Sequence, residues 1–147
     1  FRSLSEVGAA ALVETLALLE ADAVAPREQD ESDATYAPKV DRETARIDWG
    51  REPRAVSDWI RAMDRIPGAW TTLDGEAVKL FRPVPLEDYE HDEEPGRILV
   101  ADPDQELTVA VEEGAVTLDE VQPAGKRRMP VADWLRGRGA RKGQRFE

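Results

Sequence analysis

Three adjacent cations, Lys126, Arg127 and Arg128, follow the turn-forming run Pro123-Ala124-Gly125. Unpaired charges are costly to remove from water, so this run must face solvent or an anion. Arginine presents a planar fork that fits phosphate oxygens. Such contacts would position a nucleic-acid backbone without reading its sequence. Lys39, Arg42, Arg138 and Arg141 are further candidates for the same role. Other chemistries find little support. His91 is the one imidazole and lies in Asp88-Tyr89-Glu90-His91-Asp92-Glu93-Glu94. That charged stretch reads as a solvated loop, not the sheltered site a general base needs. Its carboxylates match no calcium loop, and none sits in an apolar run that would raise a pKa. Neither a Walker loop nor a G-x-G-x-x-G segment is present. Cysteine is absent, which excludes disulfides, thiolate metal sites and cysteine nucleophiles. Catalytic, cofactor-binding and metal-binding residues are therefore all expected to be missing from the chain.

The charge balance agrees with an anionic partner only when resolved by position. With 31 Asp+Glu against 20 Lys+Arg, the net charge of the 147 residues is −11. Taken as an average, this argues against coating nucleic acid through bulk charge. Residues 122–147, however, set eight cations against Asp133 and Glu147, a balance of +6. Charge asymmetry of this kind points to an anionic partner. No apolar run reaches the ~18 residues of a membrane span, and no signal peptide is visible, so no membrane partner is expected. Phe1 stands where an initiating methionine would be, so the chain reads as truncated or processed.

The elements that must carry these residues follow from periodicity. Leu4, Val7, Ala11, Leu12, Thr15, Leu18 and Leu19 recur at helical spacing over residues 3–20 and form one apolar stripe. A lone helix cannot bury such a stripe. Residues 21–44 lose periodicity and are rich in charge and proline, as a linker would be. A second helix is predicted over 53–63, with Pro53 in the first turn and Val56, Trp59, Ile60 and Met63 facing inward. Period-two segments follow at 69–73, 77–82, 97–101, 107–111 and 115–121, the first two joined by Asp74-Gly75, a strong hairpin signal. A short helix near 130–136 buries Val131, Trp134 and Leu135. Trp59 and Trp134 are expected to pack in the core; Trp70 could stack on a base or pack, and packing is favoured. Five short strands with helices outside them fit an α+β, mainly β fold, an OB-like five-stranded small β-barrel.

Several motifs, in order, carry a family resemblance: Gln29-Asp30-Glu31, Ala34-Thr35-Tyr36-Ala37-Pro38-Lys39-Val40, Ala45-Arg46-Ile47-Asp48-Trp49, Ile60-Arg61-Ala62, Pro67-Gly68-Ala69-Trp70, and Leu118 through Gln122-Pro123-Ala124-Gly125-Lys126-Arg127-Arg128-Met129. The series resembles the C-terminal half of the methionyl-tRNA formyltransferase family and covers roughly residues 3–146. The resemblance implies an intact enzyme that moves a formyl group from 10-formyltetrahydrofolate to methionyl-initiator tRNA. It implies residues 1–24 as the last helix of a Rossmann-like catalytic domain, 25–44 as a linker, and 45–147 as an OB-like domain holding the tRNA acceptor arm. The orphan stripe over 3–20 would then pack on the catalytic domain. The family's catalytic Asn-x-His segment and Asp have no counterpart here, so folate would be a co-substrate of the missing domain and this chain alone would be inactive. Where the family often has Asn-Pro-x-Pro-Gly-Ala, this chain has Asp64-Arg65-Ile66-Pro67-Gly68-Ala69. A monomeric, cytoplasmic protein (bacterial, or organellar by family) is implied. Two alternatives stay open: another 10-formyltetrahydrofolate-dependent formyltransferase, and a non-catalytic OB-type module for single-stranded nucleic acid.

Overall fold

The computed structural model describes residues 2–104 and 106–147. They fall into two compact units, Phe1–Pro38 and Lys39–Glu147. In the first, α1 runs over Arg2–Glu20 and is followed by a single 3-10 turn at Glu31–Asp33. The Asp30 carboxylate caps that turn, accepting from the Ser32 hydroxyl at 2.7 Å and the Ser32 N–H at 2.9 Å. These bonds hold its pKa below the usual carboxylate value. The apolar side chains of α1 remain uncovered, with Leu4 78% and Leu12 61% exposed.

The second unit is built on one antiparallel sheet. Its strands are β1 (Trp70–Leu73), β2 (Glu76–Leu86), β3 (Ile98–Ala101), β4 (Leu107–Ala110), β5 (Ala115–Pro123) and β6 (Met129–Pro130). Five of them run in the order β1-β2-β5-β4-β3, and β6 pairs with β5. The β1–β2 turn has Asp74 and Gly75 both at positive φ, as the primed hairpin turn requires. The curled sheet, with helices outside it, is the mainly β, barrel-like fold that the alternation implied.

Three features differ from the sequence reading. β2 continues past Arg82 through Pro83 and Pro85 to Leu86. Proline is tolerated there because β1 pairs only with Glu76–Lys79, so residues 83–86 bond to β5 alone. β6 is the second difference: a two-residue strand beyond the basic turn is too short for periodicity to reveal. The third is the C-terminal segment, for which periodicity indicated no pairing. Phe146 is 1% exposed and stacks on Trp49 with ring centres 5.7 Å apart. Gly143 and Phe146 donate to the carbonyls of Ile98 and Gly96, while Thr72 and Glu147 exchange two backbone bonds. One segment thus bridges β1 and the β3 side, the two ends of the strand order.

Two helices cover the core. α2 (Pro53–Ala62) buries Val56 and Ile60 against β2, with Met63 as its C-cap residue. α3 (Val131–Arg136) buries Val131, Trp134 and Leu135 and packs on β5. The core they cover includes Leu80, Ile98, Leu107, Val109, Val116, Leu118 and Val121, all essentially solvent-free. Burial of aliphatic side chains at roughly 1.5–3 kcal/mol each is the main stabilising term.

Candidate nucleic-acid interface

The basic run sits on the β5–β6 connection. The Lys126 N–H donates to the Pro123 carbonyl at 3.0 Å, closing a tight turn with Gly125 at φ +70°. A positive φ at that position is what a type II turn demands. The Gln122 amide donates to the Lys126 carbonyl at 3.0 Å, and Ala124 N–H to the Ala77 carbonyl at 3.0 Å. The turn is therefore anchored to β2 and holds Lys126 and Arg127 in water; both are exposed.

Arg128, third in the run, has a different environment. Its Nε donates to the Glu120 carboxylate and its Nη1 to Asp64 Oδ1, the latter at 2.7 Å. Its guanidinium carbon lies 3.9 Å above the centre of the buried Phe81 ring. Partial desolvation would lower its pKa, but the bonds from Asp64 and Glu120 outweigh this and raise it. Arg128 ties the basic turn to the loop after α2.

Beside the turn, one row of side chains crosses three strands. Trp70 is registered against Lys79, and Lys79 against Gln122. Directly paired residues share a face of the sheet, and this face is opposite to that of buried Val78 and Leu80. The row floors a groove of about 460 Å³ whose walls include Arg42, Pro67 and the turn residues up to Gly125. Arg42 and Arg46 place their guanidinium carbons 5.0 and 5.4 Å from the Trp70 ring centre. The indole N–H donates to the Arg42 carbonyl at 2.6 Å. Asp41 fixes that stretch of backbone, accepting from the Thr44 N–H and hydroxyl at 2.8 and 2.7 Å. Those bonds hold the Asp41 carboxyl below its ordinary pKa.

The structure thus brings Arg42 to the groove that Gly125 borders, immediately before Lys126 and Arg127. Lys39 is exposed at the start of the second unit. Arg138 and Arg141 are exposed beyond α3, on the segment that leads into residues 143–147. Lys79 was missed as a candidate, and Gln122, though part of the run singled out in the sequence, was given no role of its own. Their signal was polar identity at alternating positions of apolar strands, but their pairing needed the register. His91 is held rather than loose: its Nδ1 accepts from the Glu93 N–H at 3.2 Å, so its Nε2–H donates to the Gly114 carbonyl at 2.6 Å. Among the described residues no group of three His, Cys, Asp or Glu is placed to hold a metal ion.

Residues 39–139 match the family described as formyl transferase, C-terminal domain. The chain belongs to this family. Relatives of the formyltransferase domain family include the methionyl-tRNA formyltransferase of Thiobacillus denitrificans, 41% identical over 98% of this chain and 46% of the relative. That of Bacillus licheniformis is 36% identical over 97% of this chain and 45% of its own length. The chain therefore spans just under half the length of these relatives. Among solved structures, a multiply substituted HypX from Aquifex aeolicus superposes with a TM-score of 0.62 at 24% identity, covering 89% of this chain and 23% of HypX. HypX in complex with tetrahydrofolic acid gives 0.59 at 25% identity over 84% and 22%. No helix among the described residues is long and apolar enough to cross a membrane.

Proposed function

We propose that this chain is the C-terminal, tRNA-holding part of a methionyl-tRNA formyltransferase acting in translation initiation. The intact enzyme transfers a formyl group from 10-formyltetrahydrofolate to methionyl-initiator tRNA. The observation that carries the reading is the anchored Gln122–Arg127 turn, two free cations beside a cationic groove, in a chain about 40% identical to enzymes of that name. Lys126 and Arg127 contact phosphates, with Arg42, Lys39, Arg138 and Arg141 extending the surface and Arg128 bracing it. Residues 1–24 form the last helix of the catalytic domain and pack on it, 25–44 link, and 45–147 hold the acceptor arm. Folate and the catalytic residues belong to the other domain, so this chain alone is inactive. The protein acts as a cytoplasmic monomer.

A second reading, a formyltransferase with a different acceptor, draws on the likeness to HypX, including its tetrahydrofolate complex. The higher identity to methionyl-tRNA formyltransferases favours the first. The test is Lys126→Ala with Arg127→Ala in the protein carrying both domains. KM for methionyl-tRNA should rise about tenfold with kcat nearly unchanged. The salt dependence of tRNA binding should flatten by roughly 0.9 per lost phosphate contact. An unchanged salt slope refutes the phosphate-binding role, and failure to formylate methionyl-tRNA at all favours the second reading.

A further inference from the structure

We propose that the Trp70 groove receives an unpaired nucleotide of the bound RNA, its base against Ala77, Pro123 and the Arg42 guanidinium and its phosphate toward Lys79. This rests on the reading above, that the domain holds tRNA, and adds a site for one particular nucleotide.

Charge is the first argument. No carboxylate lines this groove, whereas four other concavities among the described residues are each lined by at least one. In a chain of net charge −11, an acid-free concavity with Arg42 and Lys79 on its walls is complementary to an anion. Shape is the second. At about 460 Å³ it lies within the ~300–1,000 Å³ range of small-molecule sites, with apolar walls and a few converging polar groups. A base still stacked in a duplex cannot enter a concavity of this kind, but a splayed one can.

The polar groups present suit a nucleotide. Lys79 uses one ammonium hydrogen on the Pro67 carbonyl, at 2.6 Å, and keeps two for a phosphate. Arg42 offers a planar cation held over the Trp70 ring, a surface on which bases stack. Gln122 commits its NH₂ group to the Lys126 carbonyl, which leaves its Oε1 to accept from a base. The groove is continuous with Lys126 and Arg127 through Gly125, so a backbone running along the turn passes its mouth.

Ala124→Trp fills the groove from an exposed turn position without removing a cation. Affinity of the 147-residue chain is measured for initiator tRNA and for a blunt, fully paired RNA duplex, each over a range of salt. The variant should bind tRNA about tenfold more weakly, the loss expected when one stacked base is excluded. Its duplex affinity and duplex salt slope should be unchanged, and its tRNA slope should flatten by no more than the roughly 0.9 of the single phosphate at Lys79, while Lys126→Ala with Arg127→Ala weakens both ligands. Unchanged tRNA affinity in Ala124→Trp, or an equal loss on both RNAs, overturns the nucleotide site while leaving the tRNA reading intact. Should the unaltered chain bind neither RNA, the tRNA reading falls. A second measurement then decides the groove by itself. Ribonucleoside 5′-monophosphates titrated into the ¹⁵N-labelled chain should shift the Trp70 indole N–H and the Ala77, Ala124 and Gly125 amides, and no longer do so in Ala124→Trp. Absence of shifts at these positions at millimolar nucleotide overturns the proposal.

Discussion

Arg127 and Arg128 are neighbours of one type, yet their surroundings give them different work. Arg127 is exposed, while Arg128 bonds Asp64 and Glu120 and covers Phe81. Removing Arg128 deprives Asp64 of its cation, leaves Glu120 with only the looser 3.5 Å pairing to Arg82, and forfeits a cation–π contact of about 1 kcal/mol. Arg128→Ala should therefore destabilise the second unit by about 1–3 kcal/mol, a sum of that contact and the lost charged hydrogen bonds. Denaturant titration measures it. The same variant should alter the salt slope of RNA binding less than Arg127→Ala does, because its charge is already neutralised. Equal slopes with undiminished stability would show Arg128 to be a phosphate ligand instead. At this scale the sequence reading located the basic turn and its Pro-x-Gly geometry. It could not separate Arg128 from its neighbours, since Asp64 and Glu120 are brought to it only by the loop after α2 and by β5. Lys79 was hidden for the same reason, and so was its place opposite Gln122: neither shows until β1, β2 and β5 are set in register.

Elements were legible where local rules decide them. Asp74-Gly75 marked its hairpin because two consecutive positive φ values leave few residues to choose from. The inward face of α2 followed from the spacing of Val56 and Ile60. Closure of the sheet was not legible, because it joins Gly96 and Thr72 to residues 143–147 across long stretches of chain. The closing segment is built around Phe146, whose ring lies over Trp49 and whose carbonyl crowds Gly96. A Cβ on Gly96 would come within 2.4 Å of that carbonyl, and Gly96 has φ +86°. Phe146→Ala should cost about 3–5 kcal/mol, as buried aromatic truncations do. Gly96→Ala should destabilise the same closure, since both strain and clash oppose it. Hydrogen exchange should show the Ile98 and Thr72 amides losing protection in both variants before the β2–β5 core does. Unaltered protection at those amides would mean the segment contributes nothing to closing the sheet.

Across the whole molecule, averages mislead in both charge and hydrophobicity. A net charge of −11 opposes an RNA partner only at distances that salt already screens. At physiological ionic strength the Debye length is about 8 Å, so the cations of one turn act on a bound phosphate far more than acids beyond that distance do. Hydrophobicity is likewise divided between the two units. The second unit buries its aliphatic residues, while α1 leaves Leu4, Val7, Leu12 and Leu16 exposed at 78, 66, 61 and 56%. A helix of 19 residues draws most of its stability from packing such a face, not from propensity. Leu12→Glu with Leu16→Glu therefore separates the stability of this chain from that of the larger protein proposed for it. In the 147-residue chain the pair should leave the unfolding midpoint of residues 39–147 unchanged, because exposed side chains contribute within about 0.5 kcal/mol. In the protein that includes the catalytic domain the pair should lower that domain's stability by several kcal/mol, since two carboxylates would be buried without partners. Differential scanning calorimetry of both proteins reads the two transitions. If the larger protein melts as before, α1 does not pack on the catalytic domain and its apolar stripe has another partner.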